Sequence, residues 1–186
     1  MKKFNVSCVS AALLLCFSGS SFAEKSAVND DPETENSQVS VTWQSPDDYR
    51  DVRPTNQSRT RFQEQTFNRL EAHFAEMAEA LPEGQMLEVT VTDVDLAGQV
   101  WPSSFVGLGS GAEDVRIIKD IDIPRMSFSY QLKENGLVIK ESDVDLKDMG
   151  FLHTSLRGSD SETLRYEKRM LDDWFKKEFS DQIAKQ

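Results

Sequence analysis

The chain has 186 residues, with 21 basic against 32 acidic side chains, a formal net charge of −11 and two cysteines. A surface this acidic repels phosphate backbones and anionic headgroups, which excludes nucleic-acid binding and peripheral membrane binding as leading functions. The length suits one domain with one core, and no repeat of fixed period runs through the sequence.

The first residues divide as a secretory signal does: Lys2 and Lys3 form a charged start, Val6 to Phe17 an apolar run, and Ser18 to Ala23 a small-residue tail. Ser21 and Ala23 place cleavage of a 1–23 signal peptide after Ala23, so the exported chain begins at Glu24. The apolar run is short of the roughly 20 residues a membrane-spanning helix requires. Leu15 before Cys16 is not the small residue that a lipid-anchoring signal needs. Both cysteines, Cys8 and Cys16, fall in the discarded segment, so the exported domain is cysteine-free, without disulfides, thiol nucleophiles or thiolate metal sites. Loss of Lys2 and Lys3 leaves 19 basic residues against 32 acidic, a net charge of −13. The expected compartment is the periplasm, with secretion as the alternative.

Residues 24–38 are polar and acidic and read as a disordered tether. A single globular domain is expected over 39–180, with a short tail at 181–186. Val39, Val41 and Trp43 alternate with Ser40 and Thr42 as a half-buried strand does, and Pro46 with Asp47 and Asp48 ends it. From Arg59 to Leu81 the period changes. Phe67, Leu70, Phe74, Met77, Ala78 and Leu81 mark one helix face, with Ser58 as N-cap and Pro82 with Gly84 as the stop. Leu87, Val89 and Val91 form a second alternating strand that runs into Asp93 to Gly98.

Residues 98–114 hold four glycines and Pro102 and read as a long surface loop carrying Trp101, Phe105 and Leu108. Strands are expected over 115–121, 126–132 and 137–144, the last two joined by the hairpin turn of Lys133, Glu134, Asn135 and Gly136. A final helix over 162–179 shows an apolar face of Leu164, Met170, Leu171, Trp174, Phe175 and Phe179, with capping-box spacing between Ser159 and Glu162. The order is β-α-β-β-β-β-α. It points to an α+β domain built as a two-layer α/β sandwich, with a largely antiparallel sheet of about five strands and two packed helices.

Three stretches carry a resemblance. They are Leu81-Pro82-x-Gly84 leading to Val91-Thr92-Asp93-Val94-Asp95-Leu96-Ala97-Gly98, then Ile123-Pro124-Arg125 with Tyr130, and finally Leu164 through Phe175. Together they resemble a bacterial family known as domain of unknown function 3016, over about Val39 to Phe179. The resemblance implies a small exported protein, with no assigned activity and no catalytic residue to carry over.

The recurrence of Asp-x-Asp is the most chemical-looking pattern: Asp93 with Asp95, Asp120 with Asp122, and Asp143 with Asp145, with Asp148 close behind. Residues two apart on a strand share a face. Converging pairs of carboxylates suit Ca²⁺ or Mg²⁺, or the acid and base of a glycosidase-like site. The plainer reading puts them on solvated strand ends, where charge discourages aggregation. His73 sits at the border of a helix face, and His153 near Ser155 lacks the setting of a nucleophile. The run Gly107 to Gly111 lacks the lysine and the following helix of a phosphate loop.

Trp101 and Phe105 are candidates for contact with a partner, since exposed aromatics anchor interfaces. In the last helix Tyr166, Met170 and Trp174 form a four-apart stripe that serves either the core or a partner groove. No cofactor is implied. The leading expectation is a non-enzymatic periplasmic binding or accessory module that acts through contacts with an envelope protein. The alternative is a divalent-cation-binding protein or a cation-dependent hydrolase using the aspartate pairs.

Overall fold

The computed structural model describes residues 33–35, 38–109, 111–153 and 163–184. The 1–23 segment expected as a signal peptide, with both cysteines, most of the expected 24–38 tether, Ser155 and the expected Ser159–Glu162 capping box lie outside the described residues.

The fold is a mixed α/β domain. Strand β2 (Val39–Trp43), helix α1 (Arg59–Ala78) and strand β3 (Gln85–Asp95) form a β-α-β unit whose two strands run parallel. β6 (Arg125–Glu134) pairs antiparallel with β3, and β7 (Leu137–Lys147) antiparallel with β6, across a turn in which Asn135 and Gly136 have positive φ. The short β1 (Glu33–Glu35) adds to the far edge, giving the order β1-β2-β3-β6-β7. A strand thus stands inside the stretch expected as a tether. Edge pairing uses backbone groups alone, so it leaves no apolar signature in sequence.

Two further expectations are corrected. The strand expected over 115–121 stops at Ile117 and stays out of the main sheet: β5 (Val115–Ile117) pairs only with β4 (Gln99–Trp101), inside the stretch expected as loop. Gly98 accounts for the departure. Its φ of +80° turns the chain off β3, and a Cβ there would lie 2.5 Å from the Ile117 carbonyl oxygen, so only glycine lets the two segments approach. The tail expected from 181 instead begins in helix α3 (Ser180–Ile183), where the Ile183 amide donates to the Phe179 carbonyl and the side chain packs against the core.

Both long helices cover the same face of the sheet. The β6 residues Met126, Phe128, Tyr130 and Leu132 point into the core, and β3 contributes Leu87, Val89, Val91 and, after a bulge between Val91 and Asp93, Val94. Phe128 meets Phe74 of α1 edge-on at 6.1 Å, and Trp174 of α2 (Arg165–Glu178) at 4.8 Å. Phe67 of α1 stacks on Trp43 at 4.3 Å. Each such ring removes enough apolar surface from water to stabilise the fold by about 1.5–3 kcal/mol before entropy is counted. The predicted helix face of Phe67, Leu70, Phe74, Met77 and Ala78 is the buried one, and Ser58 accepts the Arg61 amide as N-cap. A second, smaller cluster of Ala97, Phe151 and Tyr166 closes the end of the core below Gly98.

Candidate functional site

The β3 bulge decides where the first aspartate pair goes. Val91 points into the core, so an unbroken strand would send residues 93 and 95 the same way. The extra residue instead puts Val94 inside and leaves Asp93 and Asp95 on the polar side. The segment after β2 runs alongside this end of β3. The Asp51 amide donates to the Val94 carbonyl, and the Leu96 amide to that of Asp51. Three arginines then converge on three aspartates. Arg50 lies 3.3 Å from Asp93 and 3.6 Å from Asp95, and Arg125 lies 3.8 Å from Asp95. Arg116 grips Asp51 with both terminal nitrogens, at 3.0 and 3.4 Å.

Arg116 also ties the β4-β5 excursion to the sheet. Its guanidinium donates to the carbonyls of Ala97 at 3.3 Å, Gly98 at 3.2 Å and Arg53 at 3.0 Å. The buried carboxylate of Glu167 accepts the Ala97 amide at 2.7 Å. Burial pushes the Glu167 carboxyl above the usual glutamate range, against the lowering effects of that amide and of the Arg116 charge. Burial likewise raises Asp95, and its neighbours Asp51 and Asp93 add to the rise while Arg50 and Arg125 oppose it.

These groups frame a pocket of about 310 Å³ whose lining includes Arg50, Asp95, Gly98, Asp122, Arg125 and Ile121. Asp95, Gly98, Ile123 and Arg125 of this wall belong to the stretches that carry the family resemblance. Asp93 and Asp95 are each held by arginine, so the arrangement suits the orientation of polar groups rather than proton transfer by a free carboxylate. Ile121, 78% exposed, stands at the rim, and Phe105, 77% exposed, projects from the same excursion together with Leu108 and Ile118. Lys119 caps the Trp101 ring at 4.6 Å.

The three Asp-x-Asp pairs do not meet in one place. Asp95 and Asp122 line the same pocket, Asp120 is exposed in the preceding turn, and Asp143 and Asp145 stand exposed on β7. Among the described residues no three His, Cys, Asp or Glu side chains cluster as metal ligands do. Asp148 pairs with Arg169 of α2. Tyr166 and Trp174, each 8% exposed, are packed inside, Tyr166 against Phe151 and Trp174 in the main core. His73 bridges the helices, 3.0 Å from Asp172 and 3.1 Å from the Lys168 carbonyl.

The residues that sequence reading missed are Arg50, Asp51, Arg116 and Glu167. Glu167 carried a usable signal, a lone acid three residues after Leu164 and three before Met170 on an apolar stripe. The arginines carried none, because their partners come from segments distant in sequence.

Residues 37–177 match a family model described as a protein of unknown function, DUF3016. No curated protein and no solved structure matches the chain.

Proposed function

The chain belongs to the DUF3016 family, and from that membership we propose that it is an exported, non-enzymatic binding module that acts on an envelope protein through direct contact. The exposed apolar side chains of one excursion carry the proposal: Phe105, Leu108, Ile118 and Ile121 all stand out from it, and Ile121 also lines the pocket that Arg50, Arg53 and Arg125 share. Interfaces concentrate binding energy in apolar and arginine anchors of this kind. Export rests on the charged, apolar and small-residue thirds of residues 1–23. In this reading the domain is a two-layer α/β sandwich, with the helical layer closed over the core and the excursion left to meet the partner.

The test is a photo-crosslinking amino acid placed at Phe105 or Ile121 in the chain expressed in its own cells. One envelope protein linked at both positions, and lost when Arg50 and Arg125 are both changed to alanine, is the expected outcome. Linkage to no common protein overturns the proposal. The cation-binding alternative draws on Asp95 and Asp122 lining one pocket.

A further inference from the structure

β7 is the outer strand of the sheet, 11 residues long, and among the described residues only β6 pairs with it. Its second edge therefore presents a row of backbone donors and acceptors, a template for another strand. On the polar face of the sheet this edge carries Glu141, Asp143 and Asp145, all exposed. A groove of about 540 Å³ runs beside them on that face, with Glu88, Thr90, Ser129, Gln131, Glu141 and Asp143 in its wall. Of the nearby cations, Lys133 holds Glu88 at 2.5 Å and Lys140, on the helix face, holds Glu178 at 2.7 Å, while Lys147 stands exposed at the end of the strand. Beyond the acids, towards the hairpin turn, Leu137, Val138 and Ile139 are exposed.

Charge argues against a second copy of this chain as the occupant. Strands paired about a twofold axis set residues of the same face opposite one another. Centring on residue 142 opposes Glu141 to Asp143, on 143 Glu141 to Asp145, and on 144 Asp143 to Asp145, where Glu141 against Lys147 at the strand end is the one offset. Centring on 141 opposes Glu141 to itself, and centring on 145 opposes Asp145 to itself and sets Asp143 against Lys147, over only the last stretch of the ladder, Asp143 to Lys147. Like charges directly opposite destabilise a strand pair.

We propose that β7 is the docking edge for an extended, lysine- or arginine-bearing segment of a partner protein, added as the next strand with its basic side chains over Glu141, Asp143 and Asp145. The backbone ladder supplies attachment, and the alternating acids supply selection. Apolar side chains at the intervening positions meet the helix face of the strand, where Val144 and Leu146 are half-buried against the core.

The probe is a blocked peptide of about nine residues alternating lysine and valine, long enough to span the strand, titrated against the full chain by fluorescence anisotropy. The control alternates lysine and proline, with the same charge but too few donors for a ladder. The proline peptide binds at least about tenfold more weakly, a difference of about 1.4 kcal/mol. Raising salt from about 50 to about 300 mM weakens the valine peptide severalfold. Asp143→Lys with Asp145→Lys weakens it about tenfold, and the milder Asp143→Asn weakens it in the same direction if the double variant fails to fold. Phe105→Ser leaves it unchanged, which separates this edge from the apolar excursion. Equal binding of the two peptides, or self-association of the chain abolished by Asp143→Lys, overturns the proposal.

Discussion

The carboxylate of Glu167 and the backbone amide of Ala97 are joined by a buried hydrogen bond of 2.7 Å that fixes helix α2 to the end of β3. The bond spans 70 residues of sequence and holds the residue whose carbonyl Arg116 grips. Removing the acceptor strands a buried N–H, so Glu167→Ala costs about 1–3 kcal/mol. Glu167→Gln keeps an acceptor and sheds the charge. The folded carboxyl titrates above its unfolded value, so the native chain binds the proton more firmly between the two, and stability falls as pH rises through that window. Urea unfolding from about pH 4 to 8 shows a downward slope in the parent that Glu167→Gln removes, leaving the variant at least as stable at neutral pH.

Glu178 predicts the opposite slope. Lys140 and Tyr130 donate to its carboxylate at 2.7 and 2.6 Å and hold it below the usual glutamate range. Its contribution is complete above the unfolded value and is lost as pH falls through the folded one. Acid unfolding of Glu178→Gln therefore shows a weaker pH dependence in that range than the parent, and a lower stability at neutral pH.

Arg116 with Asp51 is the clamp on the β4-β5 excursion. Arg116→Ala leaves Asp51 without its bidentate partner and releases three carbonyls, at a cost of about 2–3 kcal/mol for so shielded a pair. Hydrogen exchange should rise over residues 99–117 and stay unchanged in β6. Uniform loss of protection over both regions would mean that the clamp supports the whole fold.

Gly98→Ala tests the departure point. The new Cβ meets the Ile117 carbonyl oxygen at 2.5 Å and the backbone keeps a φ of +80°. Thermal and urea unfolding should register a loss of about 2–4 kcal/mol. A variant as stable as the parent would mean that β5 approaches less closely than the structure places it.

Arginine neutralisation of Asp93 and Asp95 predicts a flat metal titration. A site saturated at 100 times its dissociation constant adds about 2.7 kcal/mol, or roughly 5–10 °C in Tm for a chain of this size. With Ca²⁺, Mg²⁺, Mn²⁺ or Zn²⁺ against a chelator, the shift should stay under about 1 °C. A rise of the larger size with one ion would bring the aspartate reading forward.

Periodicity disclosed the elements that bury one face. The faces of α1 and β3 and the Asn135-Gly136 turn stand where spacing and turn chemistry put them. β1 and β4 escaped because three-residue edge strands need no apolar pattern. The parallel pairing of β2 with β3 escaped as well, since alternation records burial and not direction. The candidate site was half visible. Asp95, Gly98 and Arg125 stood in stretches that the sequence singled out, whereas Arg50 gained meaning only when the bulge turned Asp93 and Asp95 towards it, and Asp51 with Arg116 only when the fold brought their distant segments together.

The excursion leaves the sheet at Gly98 and returns beside it, where the Gly98 amide donates to the Asp122 carbonyl at 2.9 Å. Its two ends are thus sewn together, and with the Arg116 clamp they fix the base of the excursion independently of the tip between β4 and β5. Doubling a flexible loop costs only about 0.6 kcal/mol in closure entropy. The tip between β4 and β5 can therefore be lengthened, shortened or exchanged at little cost while Gly98, Arg116 and Asp122 keep its base in place, so under the proposed function specificity is free to drift in a scaffold that does not.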